Sequence, residues 1–133
     1  MIYTNYDGGS RGNPGKGAVA VIVRDEGKIL TKYSACVGER VTNNEAEYTS
    51  LITALKLAKK ITDKEITCCL DSELVVNQLL GKYRVRNPRL LPLFLRVQRL
   101  QEGFEKITYK HVSRWNKFQQ IVDEMLNEEL DRR

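Results

Sequence analysis

Four carboxylates stand where separate elements of one fold could bring them together: Asp7, Glu47, Asp71 and Asp123. None has an arginine at a fixed local offset, so side by side they would repel one another. A divalent cation resolves that conflict. All-oxygen donors suit Mg²⁺, with Mn²⁺ as a substitute, and Mg²⁺ characteristically keeps positions for water and phosphate oxygens. Two such ions ~3.5–4 Å apart can activate a water and stabilise the leaving oxygen in an in-line phosphodiester displacement. Taken singly, most of the four have plainer explanations. Asp7 precedes Gly8-Gly9 and fits a turn aspartate. Asp71 fits a helix-start carboxylate using the dipole. Asp123 lies near Glu124, Glu128, Glu129 and Asp131 and fits a solvated acidic face. Glu47 is harder to dismiss. It lies four and eight residues before Leu51 and Leu55, shares their inward face, and would be costly there without neutralisation.

The elements that must position these residues follow from the hydrophobic pattern. Ile2 to Tyr6 alternates as a strand and delivers Asp7 into the glycine-rich stretch Gly8-Gly9-Ser10-Arg11-Gly12-Asn13-Pro14-Gly15, expected to be a turn. Gly17–Val23 is a β-branched apolar run of strand length, and Lys28–Val37 is the next strand after the Asp25-Glu26-Gly27 turn. Thr42 with Glu45 three residues on is a capping box for a helix carrying Ala46–Lys60. Ile66–Leu70 reads as a short buried strand ending at Asp71, with Ser72 capping a helix over Glu73–Leu80. Asn87-Pro88 predicts the start of a helix over Arg89–Gln101. Ile107–His111 is a last strand, and a helix over Gln119–Asp131 follows. The order β-β-β-α-β-α-α-β-α implies an α/β fold. Its mixed sheet holds three antiparallel strands and then parallel ones, with helices on its faces.

The 133 residues suit one domain, 1–133, with an ordinary globular balance of 41% hydrophobic and 29% charged residues. No apolar run approaches the ~20 residues that cross a bilayer, so no membrane association is expected. Cys36, Cys68 and Cys69 form neither a disulfide framework nor a zinc pattern, and the start of the chain lacks the marks of a signal peptide. A reducing, cytoplasmic setting is expected. The net charge of +5 is uneven. Between Lys82 and Lys117 ten Lys/Arg face two Glu, which puts +8 in that segment and −3 in the rest. Such one-sidedness fits either a solvated helix face or a polyanion partner.

The motifs Asp7-Gly8-Gly9-Ser10-Arg11-Gly12-Asn13-Pro14-Gly15, Thr42-Asn43-Asn44-Glu45-Ala46-Glu47, Asp71-Ser72-Glu73-Leu74-Val75 and His111-Val112 ahead of Asp123-Glu124-Met125-Leu126-Asn127 resemble type 1 ribonuclease H, in order, over nearly the whole chain. The resemblance implies a ribonuclease H-like fold with a five-stranded mixed sheet and helices on both faces. It also implies metal-dependent endonucleolytic cleavage of the RNA strand of RNA–DNA hybrids, without extended sequence specificity. By motif, Asp7, Glu47, Asp71 and Asp123 become the metal carboxylates, holding two Mg²⁺ with substrate. His111 becomes the loop histidine that assists proton transfer or product release. Gly8, Gly9, Ser10, Asn13, Thr42, Asn43, Asn44 and Ser72 become substrate contacts. Glycine lets backbone approach a sugar closely, asparagine amides donate and accept at once, and 2′-hydroxyls in a wide minor groove distinguish RNA from DNA. Lys82, Arg84, Arg86 and Arg89 would contact phosphates without reading sequence. No obligate protein partner is implied.

The sequence departs from the family pattern in three places. The His111–Asp123 interval is about two residues longer than in close relatives, which makes Glu124 a rival for Asp123. Glu73 stands where many relatives carry glutamine. The short connection from Gly81 to Pro88 leaves no room for an extra helix. Two other readings share the carboxylates: a hybrid-binding module without activity, and a nuclease of the same fold acting on DNA junctions or transposon ends.

Overall fold

The computed structural model describes residues 1–132. Its elements run β1 (Ile2–Arg11), β2 (Gly15–Arg24), β3 (Ile29–Val41), α1 (Asn43–Lys59), β4 (Glu65–Leu70), α2 (Glu73–Leu79), α3 (Leu91–Gln101), β5 (Lys106–His111) and α4 (Lys117–Asp131). This is the order the hydrophobic pattern implies. The five strands form one sheet, β3-β2-β1-β4-β5. β1, β2 and β3 pair antiparallel, whereas β1–β4 and β4–β5 pair parallel.

Strand alternation splits the core in two. On one face Tyr6, Val21, Val23, Ile66, Cys68 and Leu70 meet α1, α2 and α3 through Tyr48, Leu51, Leu55, Val75 and Val97. On the other, Ala18, Ala20 and Ile22 receive Val122, Leu126 and Leu130 of α4. Helices therefore lie on both faces, as the resemblance implies.

Several boundaries differ from the sequence expectation: β3 runs on to Val41 and α4 starts at Lys117, and two further differences bear on the site. The glycine-rich stretch is not a turn directly after Asp7. Strand β1 continues to Arg11 because β2 pairs with it, Gly8 opposite Val19 and Gly9 opposite Ala18. The turn is postponed to residues 12–14, where Gly12 takes φ +81°, a conformation glycine adopts without steric cost. Asp7 thus sits inside a strand. The helix expected from Arg89 begins instead at Leu91. Asn87 does initiate structure, its Oδ1 accepting from Arg89 N at 2.8 Å and its carbonyl from the amides of Leu90 and Leu91, but this closes a turn ahead of the helix. Pro92 occupies the first turn of α3, a place where its missing N–H costs nothing. Residues 80–90 hold no helix.

Candidate metal centre and nucleic-acid cleft

Strand register explains why two of the carboxylates meet. The parallel pairing of β1 with β4 ends at Asn5 opposite Cys69. Asp7 and Asp71 each lie two residues further on, so they leave the pair level with each other. This is the carboxyl edge of parallel strands, where open α/β sheets place their ligand sites.

Glu47 arrives from α1, and a glycine controls how close that helix comes. A Cβ on Gly8 would lie 2.2 Å from the carbonyl oxygen of Ala46. The sequence reading gave Gly8 and Gly9 clearance for a sugar; in the structure the bare Cα of Gly8 makes room for α1. A methyl on Gly9 would meet Leu126 Cδ2 at 3.5 Å, an ordinary contact with α4. Ser50 fastens the same approach, its Oγ donating to the Asp7 carbonyl at 2.8 Å. The capping box is present in full: Glu45 N donates to Thr42 Oγ1 and Thr42 N donates to Glu45 Oε1.

One carboxylate oxygen from each of Asp7, Glu47 and Asp71 lies within 4.8 Å of the others. Glu47 Oε2 is buried and meets no hydrogen-bond donor. Burial, reinforced by the Asp71 and Asp123 charges, pushes the Asp7 carboxyl up to about 7. Burial and the charges of Asp7 and Asp71 hold Glu47 well above the usual carboxylate range. Asp71 is raised as well, chiefly by burial. Three carboxylates crowded together with an orphaned buried oxygen are short of positive charge. The donor set is oxygen only, which fits a hard divalent cation.

Asp123 is not within that tight group, but it lines the same cleft of about 540 Å³ with Asp7, Glu47, Asp71, Arg114, Trp115 and Gln120. Glu124 does not line it. Helix α4 is aimed by a buried polar chain one turn before Asp123. Gln119 Nε2 donates to the Tyr6 carbonyl at 2.8 Å, and Asn5 Nδ2 donates to Gln119 Oε1 at 3.2 Å. Arg24 Nε donates to Asn5 Oδ1 at 2.8 Å while its guanidinium stacks on Tyr3 and Phe118. His111 Nε2 lies 3.2 Å from the Asp71 carbonyl.

The residues read as substrate contacts fall into two groups. Ser10, Asn13 and Asn43 form one network at the start of α1: Ser10 N donates to Asn43 Oδ1 at 2.9 Å, and Asn43 N to Asn13 Oδ1 at 3.0 Å. Asn44 follows in the first turn, and Thr42 spends its hydroxyl on the cap. Ser72 caps α2 beside Asp71, accepting from Val75 N. Lys82, Arg84 and Arg86 are exposed on the connection between α2 and α3. Arg89 is committed elsewhere: its Nη2 lies 2.8 Å from Glu45 Oε1 and 3.4 Å from the Arg40 carbonyl. It ties that connection to the capping box. Sequence reasoning did not pick out Arg114, Trp115 and Gln120 as cleft residues. An arginine-tryptophan pair between His111 and Asp123 was the available signal.

A family model described as "Reverse transcriptase-like" matches residues 5–123. The bifunctional protein Rv2228c of Mycobacterium tuberculosis is 38% identical over 132 residues, covering 98% of this chain and 35% of that protein. Ribonuclease HI of Halobacterium salinarum is 37% identical over 131 residues, covering 98% of this chain and 64% of that protein. The chain thus spans about a third of the mycobacterial relative and under two thirds of the halobacterial one. Among solved structures, the N-terminal RNase H domain of the mycobacterial protein superposes with a TM-score of 0.91 at 36% identity, over 98% of this chain and 93% of that one. LC11-RNase H1 in complex with an RNA/DNA hybrid superposes with a TM-score of 0.90 at 34% identity, over 98% and 97%. With this sheet order, and with that match over residues 5–123, the chain belongs to the reverse transcriptase-like family, on its type 1 ribonuclease H branch.

Proposed function

We propose that this chain is an endonuclease that hydrolyses the RNA strand of RNA–DNA hybrids, with residues 1–133 acting as one catalytic domain and two divalent ions, Mg²⁺ or Mn²⁺, at the site. The observation that carries this reading is the convergence of Asp7, Glu47 and Asp71 within 4.8 Å, with Glu47 Oε2 lacking any donor. Asp7, Glu47 and Asp71 would hold the metal, and Asp123 faces them from α4. When bound, such ions supply Lewis-acid stabilisation for an in-line phosphodiester displacement.

The other residues have roles that follow from their bonds. With Nε2–H donating to the Asp71 carbonyl, His111 would keep Nδ1 as the ring nitrogen free to take a proton beside Asp71. Asn13, Asn43 and Asn44 gather amide groups at the α1 N-terminus, suited to 2′-hydroxyls in a minor groove. Lys82, Arg84 and Arg86 would take phosphates; Arg89 contributes by holding their connection against α1. The relative solved with an RNA/DNA hybrid supports the substrate class. Among the described residues no helix is long and apolar enough to cross a membrane.

The test uses a hybrid labelled on its RNA strand beside matched RNA–RNA and DNA–DNA duplexes. The expected result is cleavage of the hybrid alone, on the RNA strand, with Mg²⁺ or Mn²⁺. Binding without cutting under either metal would reduce the chain to a hybrid-binding module. Cutting of the DNA duplex would move it to a different nuclease class.

A further inference from the structure

Trp115 is the sole tryptophan of the chain and is 70% exposed. Single exposed apolar residues are ordinary on protein surfaces, but this one lines the cleft that holds Asp7, Glu47, Asp71 and Asp123. It is mounted on a short, well-bonded turn. Val112 N donates to the Leu70 carbonyl at 2.9 Å, extending the last strand pairing. Trp115 N donates to Ser113 Oγ at 3.1 Å and Asn116 N to the Ser113 carbonyl at 2.9 Å. Asn116 then caps α4. The guanidinium of Arg114 lies 4.9 Å from the centre of the Trp115 ring. The cleft therefore has an indole held in water beside the carboxylates, with a cation on one side of it.

An exposed aromatic face flanked by arginine is how proteins hold single-stranded nucleic acid: the ring stacks a base, and the cation meets the phosphate or adds a cation–π contribution. In a continuous hybrid the bases are stacked on one another and offer no free face. A strand held at the metal carboxylates would pass Trp115, because both line one cleft.

Building on the hybrid-cleaving reading above, we propose that Trp115, backed by Arg114, is a stacking platform for an unpaired nucleobase of the RNA strand next to the scissile phosphate. The chain then favours hybrids that end or are interrupted at that point over continuous ones. Trp115 acts on specificity and is separate from the metal ligands.

The lone tryptophan supplies its own probe. In the Asp71→Asn protein, expected to bind without cutting, indole emission and binding affinity are measured with four hybrids. These are blunt, with an RNA overhang, with a DNA overhang, and with an RNA overhang whose first unpaired nucleotide is abasic. The RNA-overhang hybrid should quench the indole and bind about tenfold tighter than the blunt one, the scale of one base–aromatic stack. The abasic and DNA-overhang hybrids should behave like the blunt one. Trp115→Ala in the same background should abolish the preference, and Trp115→Phe should retain most of it. Equal quenching and affinity with blunt and overhang hybrids would overturn the proposal, as would a preference that survives Trp115→Ala. A DNA overhang as effective as RNA would overturn the strand assignment. Hybrid binding without end preference sinks this inference alone. No hybrid binding at all sinks the hybrid-cleaving reading beneath it.

Discussion

Asp7 and Glu47 together carry a sharp electrostatic conflict, and the one at Asp7 has a readable pH window. The Asp7 carboxyl is buried against two other acids and pushed up to about 7, against an ordinary aspartate near 3.9. In the metal-free protein, folding therefore favours the protonated form. That contribution to stability is fully present below the ordinary aspartate pKa and is lost as pH rises through about 7. The melting temperature of metal-free protein should fall between pH 5 and pH 8. Added Mg²⁺ should restore it, by an increment that grows over the same window. A pH-independent melting temperature in EDTA would contradict this. At the fourth position, Asp123 lines the cleft and Glu124 does not. Asp123→Asn should cost at least about 10–100-fold in activity, the scale of losing an outer metal partner, and Glu124→Gln less than about twofold. The reverse order would mean that the cleft is lined by the other acid. The carboxylates were legible because strand ends and helix faces follow from pattern. Trp115 and Gln120 were not, because a residue of the β5–α4 loop or of the first turn of α4 enters the cleft only once α4 and β5 have been placed.

At the scale of elements, two contacts decide whether the carboxylates meet. The first is α1 against β1 at Gly8. Gly8→Ala would push a methyl to 2.2 Å from the Ala46 carbonyl, a clash with backbone that must be relieved by moving the helix carrying Glu47. The expected cost is about 1–3 kcal/mol of stability, with a loss of Mg²⁺ affinity; unchanged Mg²⁺ binding in a folded Gly8→Ala protein would contradict it. The second is α4 against β1 through Gln119. Gln119→Leu strands the Tyr6 carbonyl and Asn5 without their partner, a penalty of about 1–3 kcal/mol. Activity should fall while the tight Asp7–Glu47–Asp71 group keeps its metal. Calorimetric Mg²⁺ titration separates the two variants. The capping box of α1 and the Ser72 cap were readable from spacing alone. The extension of β1 through Gly8-Gly9-Ser10 was not: glycines there signal a turn locally, and only pairing with Ala18 and Val19 overrides that signal.

Over the whole molecule, charge and topology divide the work. The sheet brings carboxylates to one edge, and the segment from Lys82 to Lys117 supplies the excess positive charge that a polyanion needs. Arg89 joins the two, linking the connection after α2 to Glu45 at the mouth of α1. That pair is separated by 44 residues in the chain, which is why Arg89 reads as a free phosphate contact in sequence. Hybrid affinity should fall steeply with salt, each neutralised phosphate contributing roughly −0.9 to the slope of log K against log salt. Lys82→Ala or Arg84→Ala should lower that slope by about one each, and an unchanged slope would remove them from the interface. The most direct test of the account is the metal dependence of hybrid cleavage by a single pair of proteins. The native chain should cut the RNA strand with Mg²⁺ and stop in EDTA, and Asp71→Asn should be inactive with Mg²⁺ while still binding the hybrid. Cleavage that persists in EDTA, or that survives Asp71→Asn, would contradict it.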